Sequence, residues 1–337
     1  MLEVLNKYYE DGWLIKQTHP SLPLTIWNYS QTTQYEGKWD EVTLHCRGLV
    51  TDTEGNVIAR PFKKFFNIEE GKHTPTSEFD VYEKMDGSLI IVFWYDGGWV
   101  VASRGSFTSE QATAASKIFF DKLDHNFSIG ITYLFEFTAN WNRIVVDYGD
   151  EDNLTLLGAI RTEDGIEATY EQLEMIAKGA NCDVVKRYDG VKDYSTLKGI
   201  IKDNQEGFVV RFSNGDRMKI KGEEYLRLHK IMTEVSTKSI WEILSNGDDI
   251  ELILKDVPDE FFDKVKEYVS ELMFQYKTLE NEYLRIYNTL SDLKDKRSEF
   301  AKRALMFKHP QLLFNIVDGK PYSNAIWRII KPEYKKI

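Results

Sequence analysis

Lys84 is the residue in this sequence whose setting most suggests covalent chemistry. It stands between the apolar run that begins at Val81 and the tight turn Asp86-Gly87-Ser88. A lysine amine acts as a nucleophile only after it has lost its proton, which burial or a neighbouring cation promotes. The tetrapeptide Lys-x-Asp-Gly by itself fits an ordinary hairpin turn with an exposed lysine equally well. Other residues must therefore decide between a nucleophile and a surface lysine.

A carboxylate inside a strand-like segment is the second candidate. In Tyr-Leu-Phe-Glu-Phe-Thr, alternation places Glu136 on one face of a strand and its neighbours Phe135 and Phe137 on the other. An acid flanked by core aromatics needs a partner. A structural ion pair with Arg143 is the more common arrangement, and a ligand hydroxyl is the alternative.

The third candidate group joins one acid to two lysines. Glu206 opens a strand-like segment, and after the Asn-Gly turn the period of two puts Lys219 and Lys221 on one face and Met218 and Ile220 on the other. Two neighbouring lysines repel each other unless an anion lies near them. The pair predicts an anion site, although a solvent-facing edge strand that carries lysines is a common alternative.

These candidates fall in a region whose pattern predicts an α+β fold built on antiparallel hairpins, from about Thr43 to Lys221. β-branched and aromatic runs are separated there by Gly, Asn and Asp turns. Three hairpins are predicted, at residues 44–58, 89–103 and 207–221. Helices are predicted at Ser109 to Lys122 and Tyr170 to Lys178, where apolar residues recur every three or four positions.

After about Ser236 the pattern becomes helical. Apolar residues from Val265 to Leu293 follow alternating steps of three and four, which predicts one long amphipathic helix. Packing inside its own C-terminal bundle is the favoured interpretation over a coiled-coil dimer, because only about four heptads are sustained. The sequence therefore predicts a catalytic domain at residues 1–235 and an all-helical domain at residues 236–337.

Composition limits the function further. A chain of 337 residues with a net charge of -11 does not coat nucleic acid by bulk attraction, so any nucleic-acid contact must be local. The two cysteines are far apart and suit a reducing compartment. No apolar run approaches the roughly 20 residues that span a bilayer, and the N-terminal residues lack a signal-peptide pattern, which predicts a cytoplasmic protein. No Walker-type phosphate loop is present.

Taken in order, the candidates form a known pattern. It consists of Lys-x-Asp-Gly at Lys84, a strand around Glu136, Glu-Gly at Glu206, and Lys-x-Lys from Lys219 to Lys221. The order resembles motifs I, III, IV and V of the covalent nucleotidyltransferases, which are the ATP-dependent ligases and the messenger RNA capping enzymes. The joint match is far more specific than any one motif.

Flanking residues resemble the phage T4 RNA ligase 1 family in particular, over about residues 25–230. The segments are Cys46-Arg47-Gly48, residues 60–67, 103–106 and 138–145, and the Lys219 to Lys221 pair with the Leu-His that follows it. The chain departs from the family at Ala102 and Arg104, where lysines are usual.

The resemblance implies a role for each matching residue. Lys84 would carry the AMP, Arg47 and Lys64 would bind the β- and γ-phosphates of ATP, and Lys219 and Lys221 would bind the α-phosphate.

The remaining roles concern the ribose, the metal and the rest of the nucleotide. Glu136 would bind the ribose, and Glu206 would hold Mg²⁺. The acidic pair Asp248-Asp249 resembles, more weakly, a metal-binding acid pair of the family. Trp27 and Glu83 complete the nucleotide-binding candidates. Core packing is the alternative for Trp27, and a helix cap is the alternative for Asp248.

The implied reaction is RNA ligation in three steps. Lys84 attacks ATP to form lysyl-AMP, AMP passes to an RNA 5′-phosphate, and a 3′-hydroxyl displaces it. The resemblance implies a substrate such as a break in a tRNA anticodon loop. An end-healing kinase and phosphatase would be the functional partners, and the ligase would act as a monomer. The C-terminal cations and aromatics that would contact RNA are Arg297, Lys302, Arg303, Lys308, His309 and Trp327.

Two rival functions remain at this point. A DNA ligase or a GTP-using capping enzyme would share the same motifs, although the helical pattern after Lys221 disfavours the OB fold expected of both. A non-catalytic RNA-binding protein on the same scaffold is the other rival, and the intact motif residues argue against it.

Overall fold

Two units make up the chain, Met1–Met232 and Thr233–Ile337. The computed structural model describes residues 1–72, 75–76, 78–123, 126–142, 145–202, 204–227, 236–249 and 262–333, with the backbone alone at 262–264. The first unit mixes strands and helices, and the described part of the second is helical. The predicted α+β class is therefore confirmed. The predicted boundary at residues 235 and 236 adjoins residues outside the described ranges and stays a prediction.

The strands all lie in the first unit as far as the structure describes the chain. They are β1 (Leu14–Thr18), β2 (Leu24–Tyr29), β3 (Arg47–Asp52), β4 (Val57–Ala59), β5 (Phe66–Asn67), β6 (Phe79–Lys84), β7 (Ser88–Tyr95), β8 (Gly98–Ser103), β9 (Ile131–Thr138), β10 (Asn153–Arg161), β11 (Asp183–Val184), β12 (Gly207–Phe212) and β13 (Arg217–Lys221).

The helices of the first unit have 5 to 13 residues. They are α1 (Leu2–Glu10), α2 (Gln31–Glu36), α3 (Glu41–His45), α4 (Glu110–Lys122) and α5 (Tyr170–Ala180), with 3-10 turns at Ile68–Glu70, Asn140–Asn142 and Tyr194–Ile200. Both predicted helices are confirmed. The Ser109 hydroxyl caps α4 by accepting from the Ala112 N–H, and the Thr169 hydroxyl caps α5 by accepting from the Gln172 N–H.

Three sheets form from these strands, in the orders β1-β2-β3-β4, β11-β10-β9-β7-β8 and β5-β13-β12-β6. Their pairs are antiparallel apart from two short parallel ones, β10 with β11 and β13 with β5. The three predicted hairpins are confirmed as β3-β4, β7-β8 and β12-β13. The first begins at Arg47 and not at residue 44, because residues 41–45 form α3 under an Asp40 capping box.

The sheets are joined by apolar layers. The second sheet packs one face on α4 and α5 around Phe119 and Phe135, and the other face on the first sheet around Ile26 and Ile91. The third sheet packs Phe208 and its neighbours against the 3-10 turn Tyr194–Ile200. Because β6 belongs to the third sheet and β7 to the second, the turn at residues 85–87 joins the two sheets beside Lys84.

The second unit is a bundle around one long helix. Its helices are α6 (Thr237–Asn246), α7 (Phe262–Thr289), α8 (Arg297–Ala304), α9 (Pro310–Val317) and α10 (Ser323–Ile329). Tyr283 of α7 packs with Phe300, Leu312 and Ile326 of the later helices, which confirms the predicted bundle packing. The predicted helix ends at Thr289, and a 3-10 turn at Ser291–Leu293 follows.

Candidate active site

One buried carboxylate joins the two outer lysines of the predicted pattern. The Lys84 Nζ lies 2.6 Å from the Glu206 Oε2, and the Lys221 Nζ lies 3.4 Å from the Oε1 of the same carboxylate. The Glu206 side chain is only 3% exposed. Two ammonium groups on one carboxylate leave a local excess of positive charge, which favours an anion beside Lys84.

Strand register explains why Lys84 and Lys221 both contact Glu206. Gly207 of β12 lies opposite Lys84 on β6 and opposite Lys221 on β13, so the three residues form one row across the third sheet. Gly207 has a φ of +151°, and a Cβ there would lie 1.9 Å from the Ile220 carbonyl oxygen. Only glycine fits this position, because any side chain would collide with the neighbouring strand.

Glu136 reaches the same site from the second sheet. Its Oε1 accepts a hydrogen bond of 3.1 Å from the Gly87 N–H. Burial raises the pKa of Glu136 to about 7, against the opposing effects of Lys84 and Arg47 and with a smaller raising effect from Glu206. A carboxyl with this pKa can donate or accept a hydrogen bond near neutral pH. The alternative partner, Arg143, lies outside the described residues.

The aspartate of Lys-x-Asp-Gly orders the turn between the sheets. The Asp86 Oδ2 accepts from the Val145 N–H at 2.8 Å and the Val146 N–H at 2.9 Å, and its Oδ1 accepts from the Tyr225 hydroxyl at 2.8 Å. The Asp86 N–H in turn donates to the Tyr148 hydroxyl oxygen at 2.8 Å. Neither tyrosine was predicted as a site residue, because no spacing in the sequence connects it to Lys84.

The turn is also pressed against β9. A Cβ on Gly87 would lie 2.3 Å from the Phe137 carbonyl oxygen. The close approach brings the end of β6, with Lys84, next to the strand that carries Glu136. The glycine of the motif is therefore explained by contact between strands and not by a positive φ.

The remaining predicted cations lie on elements around this centre. Lys219 is buried and lies opposite Val209 on one side and Asn67 on the other, so β13 is an interior strand and the edge-strand alternative is wrong. Arg47 begins β3 and lies close enough to affect the pKa of Glu136. Lys64, just before β5, is 8% exposed and is surrounded by aromatic rings.

Two predicted nucleotide contacts are not brought to Lys84. Trp27 is 1% exposed in the core beside α1, and its indole N–H donates to the Thr51 hydroxyl at 2.9 Å, which matches the core-packing alternative. Glu83 lies opposite Phe208, and alternation places its side chain on the sheet face away from Lys84. Tyr29, near Trp27 in sequence, instead packs by Lys64.

The proposed metal ligands fall in different units. Asp248 follows α6 directly, and its N–H donates to the Ile243 carbonyl, as expected at a helix end that Gly247 caps. Among the described residues no cluster of three or more His, Cys, Asp or Glu side chains could hold a metal ion. Glu206 fits a magnesium ion as a single carboxylate, since Mg²⁺ usually takes few protein ligands and keeps waters and phosphate oxygens.

Part of the predicted pattern cannot be placed. The Leu-His after Lys221 corresponds to residues 228 and 229, which lie outside the described ranges, as do Arg143 and residue 144. Within the described helices, none has the length and apolar character needed to cross a membrane.

The arrangement resembles that of known proteins in fold and in sequence. A putative ATP-dependent DNA ligase from Aquifex aeolicus superposes with a TM-score of 0.50 at 14% identity, covering 84% of this chain and 81% of that one. At this identity the likeness concerns the fold alone. The comparison therefore shows that this chain shares the fold of that ligase.

Sequence comparison identifies the family. The RNA ligase model of the T4 RNA ligase 1 type matches residues 45–234, which is more than half of the chain. The chain therefore belongs to the T4 RNA ligase 1 family of RNA ligases.

Two viral relatives extend this comparison. A putative bifunctional polynucleotide kinase/RNA ligase of Autographa californica nuclear polyhedrosis virus is 27% identical over 241 residues, covering 61% of this chain and 34% of that protein. An RNA ligase of Rhodothermus phage RM378 is 21% identical, covering 84% of this chain and 83% of that one. The match thus spans about a third of the first relative and most of the second.

Proposed function

We propose that this chain is an ATP-dependent RNA ligase in which Lys84 carries AMP. The observation that supports it most is the contact of 2.6 Å between the Lys84 ammonium and Glu206, with Lys221 on the other oxygen. A lysine in this position is largely buried, is oriented by a carboxylate and lies near a second lysine, which suits binding of a polyphosphate. Its attack on the α-phosphate of ATP forms the N–P bond of lysyl-AMP and releases pyrophosphate.

The other cations bind different phosphates of ATP. Lys219 and Lys221 hold the α-phosphate, where negative charge grows as the bond forms, and Arg47 and Lys64 hold the β- and γ-phosphates. Buried cations fixed before the substrate arrives stabilise this charge without reorganisation. Glu136, with its raised pKa, hydrogen-bonds a ribose hydroxyl.

Magnesium is the divalent cation expected at this site. It would neutralise phosphate charge and orient the leaving pyrophosphate. Glu206 is the carboxylate that fits it, directly or through a bound water. Because the Lys84 ammonium group contacts one Glu206 oxygen, a Mg²⁺ ion at that carboxylate would compete with the lysine for it and favour release of the lysine. Asp248 remains a weaker proposal for a second metal ligand.

The polynucleotide substrate is RNA with 5′-phosphate and 3′-hydroxyl ends. AMP passes from Lys84 to the 5′-phosphate, and the 3′-hydroxyl then displaces AMP to close the phosphodiester bond. A broken tRNA loop is a suitable natural target for a ligase that acts with an end-healing kinase and phosphatase. The kinase/ligase name of the baculovirus relative supports the pairing with a kinase. The cytoplasm is the expected location, with the ligase acting as a monomer.

We propose an RNA-binding surface on the helical unit that uses part of the predicted set of cations. Trp327 is 7% exposed and packs on Tyr276, so its ring is not presented to a ligand. Arg297 is 60% exposed and paired with Asp318. Lys302 and Arg303 are also exposed, at the end of α8. They lie beside Leu305 and Met306, which are 66% and 75% exposed.

This surface has the charge that RNA requires. Residues 294–308 carry six Lys and Arg residues against two acids, in a chain whose net charge is -11. Exposed apolar side chains between cations suit single-stranded RNA, whose bases and phosphates are both accessible. Because the net charge of the chain is negative, contact with RNA must be local, and this cationic surface is the proposed place for it.

A sealing assay tests the proposal. Single-stranded RNA with a 5′-phosphate and a 3′-hydroxyl is incubated with Mg²⁺ and either ATP or GTP, beside the same RNA with a 5′-hydroxyl. Joining is expected with ATP and the phosphorylated RNA alone. Joining of nicked duplex DNA without joining of RNA, or nucleotide use limited to GTP, would contradict it.

A further inference from the structure

Lys64 lies inside a box of three aromatic rings. Its Nζ is 5.4 Å from the centroid of Tyr29, 5.3 Å from that of Trp39 and 5.4 Å from that of Phe66. All three distances fall within the range at which a cation is attracted to the face of a ring. Tyr29, Trp39 and Phe66 are called the aromatic box below.

The aromatic box is itself a rigid unit. Tyr29 and Trp39 meet edge to face at 5.1 Å, and Trp39 meets Phe66 in the same way at 5.3 Å. Its members come from the end of β2, the residue before the Asp40 cap of α3, and β5. Since β5 pairs with β13, the strand that carries Lys219, the aromatic box is tied to the proposed phosphate site through the backbone.

Two further cations contact the outside of the aromatic box. The Lys72 Nζ lies 4.8 Å from the Phe66 centroid. The Arg104 Nη1 donates to the Tyr29 hydroxyl at 3.3 Å, and its Cζ lies 5.6 Å from that ring. Cations therefore converge on these rings, as they do on Glu206.

The aromatic rings have a chemical consequence for Lys64. Their faces attract an ammonium group through the ring quadrupole. They also limit the positions that a long, flexible side chain can adopt, so less rotamer entropy is lost when its ammonium group binds a phosphate.

We infer that the aromatic box positions Lys64 for the terminal phosphates of ATP, with Trp39 as the ring that contacts both others. Trp39 is a positioning residue: it acts through Lys64. The inference rests on the proposed function, since it assumes that Lys64 binds the β- and γ-phosphates. It places Trp39, which no motif marks, among the residues that set ATP affinity.

The test separates ATP use from sealing. Lysyl-AMP formation is measured against ATP concentration, and closure is measured with RNA that already carries a 5′-adenylate and needs no ATP. Trp39→Leu is expected to raise the ATP concentration for half-maximal lysyl-AMP formation about tenfold, with the rate at saturation changed less than about twofold. Closure of the adenylylated RNA is expected to stay at the wild-type rate.

Matched variants make the result specific. Trp39→Phe keeps an aromatic face and is expected to stay within about threefold of wild type. Trp94→Leu makes the same change at a tryptophan whose ring contact is Trp99, and is expected to leave ATP dependence unchanged. In a Lys64→Ala background, Trp39→Leu should add no further loss, because its effect passes through Lys64.

Each outcome has a distinct meaning. If Lys64→Ala weakens ATP use and Trp39→Leu does not, the role of the aromatic box is refuted and the proposed function stands. If Lys64→Ala has no effect on ATP dependence, the phosphate role of Lys64 fails, and the inference fails with it. Should Trp39→Leu not fold, a ring-fluorinated tryptophan at position 39 weakens the cation attraction at nearly constant shape. Unchanged ATP dependence in that protein would also refute the inference.

Discussion

The ammonium of Lys84 lies 2.6 Å from the carboxylate of Glu206. This contact fixes the proposed nucleophile beside a buried carboxylate. Glu206 is only 3% exposed and also contacts Lys221, so it is a central charge in the site. Removal of one partner from such a group is costly, because the others are left unbalanced in a dry environment.

Glu206→Gln is therefore expected to slow lysyl-AMP formation about a hundredfold or more, since it removes both the orienting contact and the proposed metal carboxylate. Rapid-quench measurement at saturating ATP and Mg²⁺ gives the rate. Glu224→Gln is the matched control, because Glu224 pairs with Arg227 on the surface. A Glu206→Gln rate within about threefold of wild type would remove Glu206 from the mechanism.

The raised pKa of Glu136 predicts a pH dependence of stability. The folded-state pKa is about 7 against an ordinary value of 4.5, so the folded protein keeps a proton that the unfolded chain has lost. Stability should therefore fall as pH rises from about 5 to about 7, by about 3 kcal/mol at most, and then level off.

Glu136→Gln removes this titration and keeps an oxygen for the Gly87 N–H. Urea unfolding of AMP-free protein between pH 5 and 8 gives the free energy of unfolding for both forms. The difference between them should shift in favour of the variant as the pH rises. Parallel pH profiles would show that Glu136 titrates normally.

Gly207→Ala tests the close approach of β12 and β13. A methyl group at this position meets the Ile220 carbonyl at 1.9 Å, so we expect a loss of about 3 kcal/mol or more and a large fall in lysyl-AMP formation. Calorimetry measures the stability of each variant and of the wild type. Gly199→Ala, where a Cβ meets nothing within 4 Å, should change it by less than about 0.5 kcal/mol. Equal stability of the two variants would contradict the predicted collision.

Charge reversal on the helical unit tests the RNA surface. Lys302→Glu with Arg303→Glu should raise the RNA concentration for half-maximal sealing about tenfold, since phosphate contacts contribute most of such binding. Lysyl-AMP formation should not change, because it involves no RNA. Lys117→Glu with Lys122→Glu on α4 makes the same change in net charge elsewhere. Equal loss of sealing in both double variants would show a general charge effect and no specific surface.

Local patterns predicted most of this fold because they report on local geometry. The Asp96-Gly97 turn of the β7-β8 hairpin has φ values of 45° and 84°, which the Asp-Gly pair favours. The two-residue period correctly placed Met218 and Ile220 together in the apolar cluster of the third sheet, which does not include Lys219. The alternation that predicted Glu136 opposite its aromatic neighbours is likewise confirmed by Phe135 and Phe137 in the core.

Contacts between strands that are distant in sequence could not be predicted in this way. Glu206 lies 122 positions from Lys84, and their contact depends on strand order in the third sheet. The motif order suggested that these residues act together, but not that one carboxylate contacts two lysines. Alternation would have placed Glu83 on the opposite face from Lys84, and that signal was available in the sequence. For Trp27, no local signal distinguishes a core ring from one that contacts nucleotide.

Covalent labelling of the protein by ATP tests the central claim most directly. Purified AMP-free protein is incubated with Mg²⁺ and ATP labelled at the α-phosphate, beside Lys84→Ala, and both are separated under denaturing conditions. Label on the wild type and none on the variant is the expected result. Label that persists on Lys84→Ala, or a wild type that takes none, would contradict the assignment of Lys84 as the nucleophile.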